Sequence, residues 1–459
     1  MSAGLDAGSW RLPVVELGRM LTQGATDPVE LAEYFIARIQ TCPDRAVLIS
    51  TCFERARGEA AQSAARHRAG KPLGPLDGIP VIWKDNIDVA GSVTTAGSAL
   101  FRDAAPARED AAVVRRLAAA GMVTLGKANL SEFAYTALGM NPHFGTPRNP
   151  LATGEARVPG GSSSGSAVAV AAGLAPVAIG TDTGGSTRVP AAFNGLVGFK
   201  PAESRYDRTG VFPLSTTLDT VGVLARGAAD CLLVDRALTG EDEPDEGRPL
   251  PLSEVSIVVP HEYASVPVEP EVTRNFLDAV DRLEKLGARV KQRSVPELEM
   301  MQRLVDEHGA FAAAEAYAVH AKLLESRSAE RMDPFVRARM LAGRPMAGLH
   351  FTALREGRLR LRRSLRAAAG DALIAVPTVP HVAPLLEPLA NDPALFAQTN
   401  LRTISNTHLG NLLNLCGLAI PSGTGQAGMP TSILFQGMAG TESALLRAGV
   451  SLQAALERG

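Results

Sequence analysis

Along this chain the apolar positions switch repeatedly between a spacing of three to four and a spacing of two, which predicts helices alternating with strands. Asp27 to Gln40 opens with an N-cap Asp and a Pro at the first helical position, then repeats Leu31, Tyr34, Phe35 and Ile39, predicting a helix with one buried face. The turn Leu76-Asp77-Gly78 leads into the apolar run Ile79 to Trp83, which predicts an interior strand whose end presents Lys84. Asp110 to Ala120 predicts a helix stopped by Gly121, followed by a strand from Met122 to Leu125. Ala167 to Ile179 is apolar but contains Gly173 and Pro176 and falls short of the roughly 20 residues that cross a bilayer, so it predicts a buried helix leading into a strand.

In the second half, Glu271 to Leu286, Ala310 to Leu324 and the Arg-rich run Arg355 to Arg366 predict helices, while Asp371 to Pro377 and Ile433 to Phe435 predict strands rejoining the same sheet. The Arg-rich run reads as a solvated or salt-bridged face rather than a nucleic-acid site. Gly240 to Leu252, rich in Asp, Glu, Pro and Gly, predicts a surface connection. No repeat or low-complexity tract interrupts this order.

Composition narrows the class of partner. Lys+Arg 46 against Asp+Glu 48 gives 46 − 48 = −2, too little field to gather nucleic acid or an anionic membrane. Cys42, Cys52, Cys231 and Cys416 are scattered without metal or disulfide spacing, and Met1 to Trp10 has no basic start followed by an apolar stretch. The expectation is a cytoplasmic protein with reduced thiols, no metal and no cofactor, acting on a small molecule as a monomer or homodimer.

Chemistry concentrates in Pro159 to Pro201, where small residues and hydroxyls surround two glycine-rich turns. Such turns let backbone N–H groups face a reacting atom, and Thr183-Gly184-Gly185-Ser186 can supply an oxyanion hole with Ser186 at its mouth. A serine hydroxyl needs a base. The eight histidines are dispersed outside any catalytic motif, but Lys84 follows an apolar run, and burial lowers a lysine pKa. Taken alone, Lys84 reads first as a strand-end lysine paired with an acid such as Asp85 or Asp88. Gly121 to Lys127 imitates a phosphate-binding loop, but Ala128 replaces the required Ser/Thr.

Taken together, these segments resemble the amidase signature family. The resemblance rests on Leu76-Asp77-Gly78-Ile79-Pro80, Lys84-Asp85, Thr95 to Ser98, Gly126 to Asn129, Glu132-Phe133-Ala134 and Asn149-Pro150. It continues through Gly160-Gly161-Ser162-Ser163-Ser164-Gly165-Ser166, Gly180 to Ser186, Arg188, Pro190, Gly198 to Pro201 and Asp219 to Gly222, and thins afterwards. It implies an α/β fold with a mixed central β-sheet covered on both faces by α-helices. That fold would form one domain over 1–459, with an N-terminal helical segment to about 70, a signature core from about 71 to 230 and a C-terminal part from about 250.

The resemblance also implies a triad of Ser186, Ser162 after a cis peptide, and Lys84. Ser163 and Ser164 would act as supporting hydroxyls, and Asp182 and Arg188 as orienting groups. The implied reaction is hydrolysis of an amide, anilide or carbamate (urethane) through an acyl-serine, as in a urethanase or aryl acylamidase, with esters accessible. Tyr135, Leu138, Gly139 and Met140 resemble the segment shaping the substrate pocket, hinting at an aryl or alkyl amide. Ala202-Glu203-Ser204-Arg205 departs from the usual Thr-aromatic-Gly-Arg pattern and would place Arg205 near the substrate end.

Three rivals remain. Gly161-Ser162-Ser163-Ser164-Gly165 satisfies GxSxG with Ser163 as nucleophile, but the preceding Thr153 to Pro159 is polar and turn-like rather than a strand. The others are the glutaminase-type component of a transfer-RNA-dependent amidotransferase and a non-catalytic binding scaffold.

Overall fold

Residues 5–240, 248–261, 266–346 and 348–457 are described by a computed structural model. Eleven strands form one sheet: β1 (Leu48–Thr51), β2 (Pro80–Lys84), β3 (Val123–Ala128), β4 (Val177–Asp182), β5 (Val197–Lys200), β6 (Thr220–Ala225), β7 (Ser256–Pro260), β8 (Arg289–Arg293), β9 (Leu373–Pro377), β10 (Cys416–Thr424) and β11 (Pro430–Gly437). Their order is β1-β3-β2-β4-β6-β5-β10-β11-β9-β7-β8. Pairing is parallel through β3, β2 and β4 and again through β9, β7 and β8, and antiparallel elsewhere, so the sheet is mixed as expected. The second half rejoins the first where β10 pairs with β5.

Strand alternation explains why helices cover both faces. On β11, Ile433 and Phe435 enter one apolar cluster and Leu434 enters the other; on β10, Leu418 and Ile420 oppose Ala419 in the same way. The first cluster is closed by Leu31 and Phe35 of the helix Pro28–Thr41, Phe276 and Leu283 of Pro270–Lys285, and Leu445 and Leu452 of Glu442–Glu457. The second is closed by Met301 of Pro296–His308 and by Leu354, Leu361 and Leu365 of Gly348–Ala369. Burying such sets of Leu, Ile and Phe is the dominant favourable term in holding helices on a sheet.

Local signals behave as their chemistry requires. Asp27 caps Pro28–Thr41, accepting from Val29 N–H at 2.8 Å, while Glu30 reaches back to Asp27 N–H at 3.3 Å. The phosphate-loop mimic is strand β3 with its lysine buried. The Arg-rich run lies on Gly348–Ala369, where Arg358 is buried and pairs with Glu203 at 3.0 Å. Of the expected connection from Gly240 to Leu252, residues 241–247 lie outside the described residues, as do residues 1–4 of the N-terminus. Among the described residues, no helix is long and apolar enough to cross a membrane.

Candidate active site

Lys84 ends β2 beside β4, the central parallel pair, and is fully buried. Its Nζ donates to Ser162 Oγ at 2.7 Å and to Thr181 Oγ1 at 2.8 Å. Thr181 is held in turn by Asn86 Nδ2 at 3.0 Å. Among the described residues no carboxylate shares this contact shell, so burial pushes Lys84 down to about 7, against the more distant pull of Asp182 and Asp219. An amine of that kind exchanges protons near neutrality.

Ser162 lies before the helix Ser164–Ala171, and the Gly161–Ser162 peptide is cis. The turn needs glycine on both sides of the contact: Gly139 has φ +81°, and a Cβ there would meet Gly160 O at 2.3 Å. Ser163 Oγ donates to Thr181 O at 3.2 Å, and Ser163 N–H donates to Ser186 O at 3.2 Å, tying the two glycine-rich turns together next to Ser162. Ser164 Oγ points elsewhere, to Asn129 O at 3.5 Å.

Ser186 follows the turn after β4. Asp182 shapes this turn, accepting from Gly185 N–H at 2.8 Å, Thr187 N–H at 3.0 Å, Arg188 Nε at 3.1 Å and Asn411 Nδ2 at 2.9 Å. Burial alone would raise the Asp182 carboxyl, but the Arg188 guanidinium outweighs it and holds the group well below the usual carboxylate range. Arg188 also donates to Thr407 O at 3.1 Å and Asn411 Oδ1 at 2.6 Å, binding the turn to the second half of the chain. Asp182 and Arg188 therefore orient the turn and lie beneath it.

Of the four N–H groups expected to face an oxyanion, that of Gly185 is occupied by Asp182. The N–H groups of Thr183, Gly184 and Ser186 find no acceptor among the described residues. Gly185 has φ +134°, and a Cβ there would meet Thr407 Oγ1 at 2.3 Å, so its contribution is conformational.

Ser186, Thr183 and Gly184 open into a cavity of about 730 Å³. Its apolar wall comes from Tyr135, Leu214, Leu218, Phe311, Leu401 and Leu412. Tyr135 lines this cavity. Leu138 and Met140 are not on the wall: they pack with Val158, Val189 and Phe193 in a separate apolar cluster, and Gly139 abuts Gly160. Tyr135 and Leu138 are three residues apart with Phe133 and Ala134 at positive φ just before them, a bent path on which neighbouring residues need not share a face.

Arg205 is also displaced from expectation. It pairs with the buried Asp235 at 2.6 Å and lines a second cavity with Arg115, Arg116 and Glu442, separate from that of Ser186. The pattern change at Ala202 to Arg205 accordingly alters a cluster outside the Ser186 cavity.

The rival nucleophile is accounted for by the same geometry. Ser163 Oγ is spent on backbone, and no strand leads into it. His408 does line the cavity, but its ring nitrogens bond Ile404 O at 2.8 Å and Gln302 Oε1 at 2.9 Å. Thr181, Asn86, Asn411 and Asn400 are site residues that the sequence pattern does not assign. Thr181 sits within one of the family motifs, so its hydroxyl is legible there; Asn400 and Asn411 lie in the thinner second half, with no spacing to mark them.

The chain is similar to known proteins over most of its length. The profile of the Amidase family matches residues 30–446. A glutamyl-tRNA(Gln) amidotransferase component from Ralstonia nicotianae is 34% identical, with 96% of this chain and 97% of that protein covered. The 2-amino-5-chloromuconic acid deaminase of Comamonas testosteroni is 34% identical, covering 88% of this chain and 87% of that protein. A solved crystal structure of an amidase superposes with a TM-score of 0.85 at 32% identity, covering 97% of this chain and 100% of that one.

Proposed function

The chain belongs to the amidase signature family and is an amide C–N hydrolase, and from that premise we propose that it opens a small amide, anilide or carbamate through an acyl-Ser186 intermediate. The observation that carries this reading is the 2.7 Å bond from Lys84 Nζ to Ser162 Oγ, made by a buried amine lowered to about 7. Neutral Lys84 takes the Ser162 proton as Ser162 takes that of Ser186, and Ser186 Oγ adds to the carbonyl carbon. The oxyanion is received by the N–H groups of Thr183, Gly184 and Ser186. The ammonium of Lys84 returns its proton through Ser162 to the leaving nitrogen, the C–N bond breaks, and water cleaves the acyl-serine by the same relay.

The apolar cavity wall supports an aryl or alkyl substrate, urethanase and aryl acylamidase activities among them, with esters as a side reaction. All four cysteines are free, which supports a reducing cytoplasmic setting.

A panel of primary amides, anilides, carbamates, ureas and esters, run on the parent and on Ser186→Ala, tests the assignment. Turnover by the parent and its loss of roughly ten-thousand-fold or more in the variant are expected. Hydrolysis that survives in Ser186→Ala defeats the nucleophile.

The similarity to the Ralstonia amidotransferase component favours a second reading, a glutaminase-type protein working within a transfer-RNA-dependent complex. Glutamine hydrolysis that appears only with partner proteins and transfer RNA, together with an inert panel, would decide for it.

A further inference from the structure

Two leucines on the wall of the Ser186 cavity are held in place by different carboxylates. Leu214 and Leu218 line the cavity and belong to the connection between β5 and β6. Asp219, next to β6, accepts from Leu214 N–H at 2.8 Å, Ser215 N–H at 2.9 Å and Thr183 Oγ1 at 2.6 Å, so it fixes the first leucine together with the turn that carries Ser186. The second leucine is held from elsewhere. Leu218 N–H donates to Ser215 Oγ at 3.2 Å, and Ser215 Oγ donates in turn to Glu315.

Glu315 is buried on the helix Phe311–Leu324. Among the described residues its hydrogen bonds all come from one turn: Thr217 N–H at 3.1 Å, Thr216 Oγ1 at 3.3 Å, and the hydroxyls of Ser215 and Thr217. Taking a carboxylate out of water is costly unless donors replace the water, and hydrogen bonds to a charged acceptor are the strong ones. A carboxylate spent wholly on one turn therefore stiffens that turn. The same helix grips the chain just before it, where His320 Nε2 bonds Pro213 O at 2.9 Å and the His320 ring stacks on Phe212 with centroids 5.3 Å apart. Phe311 and Ala312, at its start, are themselves on the cavity wall. One helix thus supplies part of the wall and sets the position of another part.

We propose that Glu315 is a positioning residue that holds Leu218 against the substrate through the Ser215 hydroxyl, and so sets how strongly the cavity discriminates by the size of an apolar group. Glu315 lies behind the wall rather than on it. Removing its carboxylate frees Leu218 to withdraw, whereas Leu214 and Thr183 stay on Asp219. The inference rests on the amide-hydrolase reading above and gives that site a device for substrate selection.

Acetyl- and hexanoyl-p-nitroanilide present a short and a long apolar group to the same wall. The parent is expected to favour the hexanoyl member by about thirtyfold or more in kcat/KM, since a methylene in an apolar pocket is worth about tenfold or more. Glu315→Ala should cut that preference about tenfold, chiefly by raising the hexanoyl KM. Glu315→Gln keeps an oxygen for Thr217 N–H and an amide for the Ser215 hydroxyl, and should hold the preference within about threefold of the parent. Leu218→Ala should give the same loss as Glu315→Ala, and the double variant should lose no more than about threefold beyond either, because the two act through one contact.

Equal turnover of the two anilides by the parent overturns the proposal, as does an equal loss on both in Glu315→Ala, which would mark a role in folding alone. Losses that multiply in the double variant overturn it too. Should Glu315→Ala not fold, Ser215→Ala removes the hydroxyl between Glu315 and Leu218 N–H and carries the same comparison. If the parent cleaves neither anilide, calorimetric titration with hexananilide separates the two ideas. Binding that Glu315→Ala weakens about tenfold sustains the positioning role while the reaction assignment fails. Binding that the variant leaves unchanged, or none by the parent, ends the proposal.

Discussion

Two lysines of adjacent parallel strands stand at the same depth in this protein and do different work. Lys84 of β2 and Lys127 of β3 are both fully buried, and the register pairs Trp83 with Lys127 and Lys84 with Ala128. Cross-strand partners share a face and successive residues alternate, so the two ammonium groups leave the sheet on opposite sides. The same alternation returns Asp85 to the Lys127 side, where its carboxylate meets Lys127 Nζ at 2.9 Å, with Thr94 Oγ1 a further 2.8 Å contact of that lysine. Among the described residues Lys84 meets only hydroxyls and a carbonyl. A carboxylate within contact makes a buried lysine a structural cation, and its absence leaves an amine ready to exchange protons.

The sharpest test of that contrast substitutes methionine at each position. Lys84→Met should lower kcat/KM by about ten-thousand-fold while shifting unfolding stability by no more than about 1 kcal/mol, because an apolar chain of similar length replaces a desolvated amine. Lys127→Met strands the buried Asp85 carboxylate and should cost about 3–5 kcal/mol in denaturant unfolding. If Lys127→Met unfolded at the parental denaturant concentration, the ion pair would contribute nothing to stability, and the contrast between the two lysines would fail.

How much of this is visible in the sequence follows from the physics of each region. The strand ending at Lys84 is legible because a turn signal bounds a short apolar run, and Ser162, Thr183 and Ser186 are legible because glycine-rich turns with hydroxyls leave a dense local pattern. The partner of Lys127 is not legible: Asp85 adjoins Lys84 in sequence, and only the pleat assigns it to the other lysine. Leu138 and Met140 are misplaced by the pattern for a related reason, since sequence proximity to Tyr135 says nothing about which wall a bent segment presents. Asn400 and Arg339 reach the cavity from the helices Pro393–Thr403 and Pro334–Leu341, far beyond Ser162 in the chain, where amphipathic pattern reports burial but not what is buried against.

The pH dependence sharpens the comparison at a smaller scale. Burial lowers Lys84 to about 7 from its ordinary 10.5, and the relay requires the neutral form, so activity is present above that value and lost as protonation proceeds below it. The profile of kcat/KM should fall about tenfold per pH unit below 7 and flatten above it. A limb displaced to about pH 9 or higher would mean that Lys84 keeps an ordinary ammonium and that burial does not poise it near neutrality.

The smallest expected effect belongs to Arg205, which sequence reasoning sets beside the substrate. Its Nε and Nη2 hold both oxygens of Asp235, at 2.8 and 2.6 Å, and Tyr206 O–H donates to the same carboxylate. That cluster borders its own cavity of about 700 Å³. Arg205→Gln retains a donor for Asp235 while removing the charge, and sites without shared partners act nearly independently, so kcat/KM should stay within about threefold for every substrate that the parent cleaves. The loss should appear instead as about 1–3 kcal/mol of stability, the penalty for an incompletely satisfied buried carboxylate. A changed substrate preference at parental stability would join the two cavities into one functional unit, and the line drawn here between charges that support the fold and charges that face the substrate would have to be redrawn through Arg205.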